Sequence, residues 1–380
     1  MLTINQDSLL GLQVSKHHQE KIVPNIRSVT ISIFRQRHLI KGPLSRLDRM
    51  KTSFDLLEPL FVIPEKTAAK CGFGDLPHKF SFNESDVILY GVPIDITTSF
   101  GKGTQRGPEA LRLASAKQIE TFIFEENLDI SECVKIYDMG DMKFPKVPRQ
   151  QQKRRENTAT IFSSLGSSIN RATSAIRNSN KLPVLIGGEH TTSYYSIKAL
   201  AKENPVIIHF DAHRDMKSEY GGMTICHTTP FYHLIREGHI PGKNIIQIGI
   251  RQSDQSENQV AEENKVVTFD AWYVRKQIND VFEYLRTKTK NKKIYISFDI
   301  DVYDLPYVPC TGTPEPFGLN PFEIVQILKS ISKSAKLIGL DLVEAGVKNN
   351  DYREGTLATQ TLLRILCRDY VIQKAIQPKK

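Results

Sequence analysis

Between residues 207 and 215 the chain reads Ile-Ile-His-Phe-Asp-Ala-His-Arg-Asp, which spaces Asp211, His213 and Asp215 two residues apart. In extended backbone, that spacing sends all three side chains to one side. They follow a short, largely apolar run, Val206, Ile207, Ile208 and Phe210, of the kind that fills a buried strand of a parallel sheet. Carboxylates and imidazoles gathered at the mouth of a buried strand are costly unless their charge is paired, and a bound cation is the simplest partner. Alone, an Asp-x-His-x-Asp exit is equally consistent with polar groups bonded to water and backbone.

Two further stretches share the design. Residues 293–304, Lys-Ile-Tyr-Ile-Ser-Phe-Asp-Ile-Asp-Val-Tyr-Asp, form a β-branched and aromatic run that ends in Asp299 and Asp301. Residues 182–190 lead from Val184, Leu185 and Ile186 into Gly-Gly-Glu-His, closing on His190. Three such strands are expected to converge at the carboxyl edge of one sheet, where open α/β folds bind ligands. The set His190, Asp211, His213, Asp215, Asp299 and Asp301 contains four carboxylates, two imidazoles and no thiolate. Structural zinc sites use Cys and His in fours, whereas carboxylate-heavy sets favour harder divalent ions such as manganese. Four negative charges match two divalent cations, and such pairs hold a bridging hydroxide and stabilise charge built up during hydrolysis.

Taken together with Thr-Gly-Thr-Pro-Glu-Pro at 311–316, these motifs resemble the ureohydrolases, the family of arginases and agmatinases. The resemblance extends upstream to Gly-Val-Pro-Ile-Asp at 91–95 and to the Gly-rich stretch 99–112. Downstream it takes in Gln-Ile-Gly-Ile-Arg at 247–251 and Asp-Leu-Val-Glu at 341–344. It implies an arginase-like three-layer α/β/α fold, two Mn²⁺ per subunit and assembly as a homo-oligomer, a trimer or hexamer. By that resemblance His190 and Asp215 serve one manganese, His213 and Asp301 serve the other, and Asp211 and Asp299 bridge them.

His227 aligns with the family's active-site histidine, and an imidazole that titrates near neutrality suits proton delivery to a departing amine. Glu315 sits in what resembles the guanidinium-holding motif; a carboxylate accepting two parallel N–H bonds is the strongest geometry for that cation. The loop 216–226 lacks the Ser-Gly-Asn pattern with which arginases recognise the amino-acid end, and looks like that of agmatinases. The implied reaction is therefore hydrolysis of agmatine to putrescine and urea. Arginine, guanidinobutyrate and free guanidine stay open as substrates, as does a metal-binding family member without turnover. Glu189 stands where the family usually has Asp, Thr228 where Gly is usual, and Leu305 where Pro is usual. Cys310 and Phe317 replace glycines beside Glu315, which bears on substrate size rather than on the chemistry. Asp304, Asp341 and Glu344 read as structural or supporting acids, and His209 as a hydrogen-bonded core group.

Composition narrows the alternatives. The 380 residues carry a formal charge of +9, but residues 1–49 hold eight Lys or Arg against three Asp or Glu. That leaves 9 − 5 = +4 for the remainder, too little to argue for nucleic acid, and no aromatic-basic strand or helix-turn-helix pattern stands out. Residues 1–49 read as a basic N-terminal extension, flexible or preceding a true start at Met50, and residues 50–380 as the catalytic domain. Five scattered cysteines without CxxC spacing fit a reducing, cytoplasmic setting. No apolar run approaches a membrane span.

The elements that must position these groups alternate. Strands are expected at 86–90, 134–138, 184–186, 206–210, 244–250, 294–298 and 335–342. Helices are expected at 109–120, 157–176, 192–202, 229–237, 271–285, 321–332 and 356–366. Strand–helix alternation implies right-handed crossovers and a single-domain, doubly wound parallel β-sheet flanked by helices.

Overall fold

The computed structural model describes residues 53–75, 80–144 and 155–376; the expected basic extension at 1–49 lies outside them. Eleven strands occur in chain order: β1 (Phe61–Val62), β2 (Val87–Val92), β3 (Phe122–Ile123), β4 (Leu128–Asp129), β5 (Ile136–Met142), β6 (Leu182–Gly187), β7 (Val206–Phe210), β8 (Ile245–Ile250), β9 (Val267–Asp270), β10 (Lys293–Asp299) and β11 (Lys336–Val343). Nine of them form one sheet in the order β1-β5-β2-β6-β11-β10-β7-β8-β9, and β3 pairs with β4 as a separate short hairpin.

The large sheet is parallel except at one edge, where β1 runs antiparallel to β5. The expected doubly wound parallel sheet is thus present, with one antiparallel edge whose two-residue strand is too short to leave a sequence period. The helix Gln255–Glu263, strand β9 and the β3–β4 hairpin were not expected either. The helix carries a capping box in which Asp254 accepts from the Glu257 N–H and Glu257 accepts from the Asp254 N–H. The expected helix over 271–285 is two helices, Ala271–Lys276 and Ile278–Lys288, separated at Gln277.

Alternation along the central strands feeds two cores. Ile208 and Phe210 of β7 pack with Ile296 and Phe298 of β10 toward the helices Ala271–Lys276, Ile278–Lys288, Pro321–Ser330 and Arg353–Ile376. Ile207 and Tyr295 point the other way, with Tyr194 and Ile197 of the helix Thr191–Leu200 and Phe231 and Leu234 of the helix Pro230–Arg236. Both faces of the sheet are therefore covered, which is why its inner strands read as continuous apolar runs. Burying a side chain such as Ile208 contributes roughly 1.5–3 kcal/mol, so the strands that carry the polar cluster are anchored by several such terms. No helix among the described residues is long and apolar enough to cross a membrane.

Candidate metal centre and substrate cavity

The carboxyl ends of β6, β7 and β10 bring the six expected ligands together. His190 Nδ1 lies 3.0 Å from Asp211 Oδ2, 3.0 Å from Asp215 Oδ2 and 3.1 Å from Asp299 Oδ2. On the other side His213 Nδ1 lies 3.0 Å from Asp301 Oδ2 and 3.5 Å from Asp211 Oδ1. Asp211 thus stands between the two imidazoles, as a shared ligand must.

Backbone N–H groups aim the carboxylates. His213 N donates to Asp211 Oδ1 at 2.6 Å, Asp301 N to Asp299 Oδ1 at 2.8 Å and Ala212 N to Asp301 Oδ1 at 2.9 Å. Asp215 adopts φ +54°, a left-handed conformation that a non-glycine residue holds only where its surroundings demand it. The turn lets Asp215 fold back toward His190 after the strand has ended.

Whether these residues suit metal ions is decided by His190 Nδ1. It is buried, has three carboxylate oxygens around it, and makes no hydrogen bond of acceptable geometry with any of them. One imidazole N–H can serve one acceptor, not three. A nitrogen and three oxygens converging in this way fit a divalent cation, and the oxygen-rich donor set matches a hard ion. The electrostatics agree. Burial and the neighbouring carboxylates of Asp301 and Asp211 push Asp299 well above the usual carboxylate range. Burial and the Asp211 charge push Asp215 up to about 7. Burial opposes ionisation of Asp211, but His209 and the other imidazoles hold it well below the usual range. Cations would remove the conflict that these shifts express.

The outer atoms of the ligands are held as well. His190 Nε2 is 3.1 Å from Ser297 Oγ, which donates to Asp341 Oδ1 at 2.8 Å; Tyr295 OH donates to Asp341 Oδ2 at 2.7 Å. Asp341 is thus a supporting acid, as read from sequence. His209 Nε2 lies 2.7 Å from Asp211 Oδ2, and Gln247 Nε2 lies 3.2 Å from His209 Nδ1. Arg214 Nη1 donates to Gln247 Oε1 at 2.8 Å, which turns the Gln247 amide toward His209. His209 is accordingly a hydrogen-bonded core group that faces a ligand.

A cavity of about 340 Å³ opens above the cluster. The buried Asp215, His227 and Glu344 line it together with His213 and Glu315, and the more exposed Lys217, Tyr220, Gln252, Ser253 and Asp254 form its outer wall. Glu315 sits toward the mouth, with Oε1 3.7 Å from His213 Nε2 and Oε2 accepting from Gln252 Nε2 at 3.2 Å. Its loop is tied down by Arg251, whose guanidinium donates to the carbonyls of Asp301 at 2.7 Å and Glu315 at 2.9 Å. His227 is 7% exposed, with Nδ1 3.2 Å from Thr97 Oγ1 and Nε2 3.3 Å from Ser99 Oγ. Burial, then the His213 and His190 charges, push its imidazole down to about 3.

Glu344 supports His190, in keeping with its reading as a structural or supporting acid, and also reaches the cavity. It lines the cavity, its Oε1 accepts the His190 N–H at 2.8 Å, and its Oε2 is buried without a hydrogen-bond partner. Burial and Glu189 push it well above the usual range, and its φ of +61° marks a second held turn. Its motif was visible in sequence; its exposure to the cavity was not. Phe317, in a glycine's place by resemblance, keeps the glycine-like φ of +67°.

A model of the arginase family matches residues 85–367. The chain belongs to the arginase family. It is a metal-dependent ureohydrolase, of a family that acts on guanidino groups through a binuclear metal site. Among its relatives is an agmatinase of Pyrococcus horikoshii, 32% identical over 262 residues that cover 69% of this chain and 84% of the relative. Another is the mitochondrial guanidino acid hydrolase of Homo sapiens, 30% identical over 305 residues, covering 78% and 82%. The fold is shared with the agmatine ureohydrolase of Thermoplasma volcanium, with a TM-score of 0.69 at 24% identity over 85% of this chain and 99% of that one.

Proposed function

We propose that the chain hydrolyses the guanidinium group of agmatine to putrescine and urea, with two Mn²⁺ held by His190, Asp211, His213, Asp215, Asp299 and Asp301. The observation that carries the reading is a carboxylate oxygen, Glu344 Oε2, left without a partner at the inner end of a cavity beside the six-ligand cluster. A buried acceptor of this kind fits a planar cation that brings its own N–H donors.

When bound, the ions supply a water ionised at neutral pH and neutralise charge that develops on the substrate. The protein's residues do the rest. Glu344 and Glu315 accept N–H bonds from the guanidinium and hold its central carbon toward the cluster. His227, neutral at rest, takes up a proton at Nε2 and returns it to the nitrogen of the departing amine. Thr97 and Ser99 hold its ring.

The outer wall favours a second reading of the tail. Lys217 Nζ pairs with Asp254 and lies 3.2 Å from Glu257 Oε2, while Asp254 also accepts the Glu257 N–H and Glu257 the Met216 N–H. By exchanging one of these acids, the Lys217 ammonium can pair with a substrate carboxylate, so a guanidino acid, as acted on by the human relative, is the second reading. Urea release by the manganese-loaded protein, compared across agmatine, arginine, guanidinobutyrate and guanidine, separates the two. Preference for agmatine supports the first reading, preference for the acid the second, and no urea from any of them overturns both. Cytoplasmic location and a homo-oligomeric state belong to the same proposal; exposed Phe100, Phe124 and Phe322 provide apolar surface for assembly.

A further inference from the structure

Glu189 is wholly buried, lies next to a metal ligand, and takes no part in the chemistry described above. Its surroundings give it another task. Its Oε1 accepts from Thr97 Oγ1 at 2.6 Å and from Thr191 Oγ1 at 2.7 Å, and its Oε2 accepts from the Thr97 backbone N–H at 2.6 Å. Burial pushes its carboxyl up, but the Thr97 and Thr191 donors oppose that shift, and with three donors and no competing acceptor both of its oxygens accept.

The Thr97 hydroxyl has one hydrogen and two lone pairs. Its hydrogen goes to Glu189, along the shortest contact it makes. Its lone pairs then face two donors from the same residue, the His227 backbone N–H at 3.0 Å and His227 Nδ1 at 3.2 Å. Because the hydroxyl has no second hydrogen to give, Nδ1 must carry the proton. The tautomer follows from the hydrogen-bond network. Nε2 is left with the lone pair, toward Ser99 and the cavity.

We propose that Glu189, acting through Thr97, is a positioning device for His227: it holds the imidazole in the Nδ1–H tautomer and presents Nε2 as the only nitrogen that exchanges protons with substrate. The device uses the same physical logic as a carboxylate that orients a catalytic imidazole, with a hydroxyl interposed. It also gives a reason for a glutamate at 189 in place of the usual aspartate, since the longer side chain reaches both the N–H and the hydroxyl of Thr97. The inference rests on the assignment of His227 as the proton-transfer group.

The test compares Thr97→Val, which keeps the branched shape and removes the hydroxyl, with Thr97→Ser, which keeps it. For the metal-loaded Val variant we expect kcat to fall about 10- to 100-fold, less than loss of a general acid–base group itself. KM should stay within roughly threefold, because substrate binding is untouched. The Ser variant should recover most of the turnover, and both should retain two ions by metal analysis. Crystal structures of the two variants add a readout independent of turnover: the His227 ring should leave its single orientation in the Val variant and keep it in the Ser variant. Wild-type kcat in the Val variant, or an unmoved ring, overturns the proposal. If the wild-type protein releases no urea from any guanidino compound, the catalytic reading fails separately, and the ring orientation still decides this one.

Discussion

The floor and the outer wall of the cavity are built on opposite principles. On the floor, metal-type side chains are gathered faster than their charges can be satisfied within the protein, so His190 Nδ1 and Glu344 Oε2 are left buried and unpartnered. On the wall, each charged group already has a partner: Lys217 pairs with Asp254 and Glu257, and Glu257 Oε1 also accepts the Met216 N–H at 3.0 Å. Unsatisfied groups call for ions and substrate, and satisfied ones only shape what enters. In the function proposed, the floor does the chemistry and the wall tells substrates apart.

The sharpest way to break this contrast is at the shared ligand. Asp211→Asn should release bound metal and bring urea production to background, as followed by metal analysis and assay; an active, metal-replete variant would show that the floor tolerates a missing charge. Next in size, Glu344→Gln should lower kcat/KM by about 10- to 150-fold, the equivalent of one charge-assisted hydrogen bond of roughly 1.5–3 kcal/mol. Glu315→Gln should cost less, because Glu315 is partly exposed and already has Gln252 as a partner. Steady-state kinetics on the two variants ranks them, and the reverse order would move the guanidinium contact to the mouth.

Lys217→Met should act on the wall alone. Kcat for the best substrate should hold, while KM for a carboxylate-tailed compound rises about tenfold and KM for a cationic one falls. A loss of kcat would erase the distinction between floor and wall.

The smallest effect concerns the frame behind both. Glu354 accepts backbone N–H groups from Cys310, from Thr311 at 2.9 Å and from Gly346 at 2.8 Å, and burial pushes it up to about 7. A carboxyl with a raised folded value binds its proton more tightly in the folded state. Its contribution to stability is therefore greatest below about pH 4.5 and declines as pH rises toward about 7, then levels off. Denaturant unfolding between pH 5 and pH 8 should show that decline in the wild-type protein and a flatter profile for Glu354→Gln; parallel profiles would remove Glu354 from the account.

How far the sequence alone could reach depends on distance along the chain. Strand runs such as Val206 to Phe210 and the spacing of two at Asp211, His213 and Asp215 are local patterns, so the mostly parallel sheet and the convergence of the six metal-type side chains were legible before any fold was known. The antiparallel edge β1 and the break at Gln277 were not, because a two-residue strand and a single interrupted turn leave no period. Contacts between distant segments were beyond reach altogether. Thr97 meets Glu189 across 92 positions and His227 across 130, and nothing in the residue types announces it. The same holds for Lys217 with Asp254, and for Glu344, whose motif was visible while the direction of its free oxygen was not. By itself, then, the sequence determined which metal-type side chains would gather at one sheet edge, because ligand type and strand period are properties of short segments. Only the tertiary structure decided how His227 is oriented and what the cavity wall presents, because those depend on hydrogen bonds and charge pairs between segments that only folding brings together.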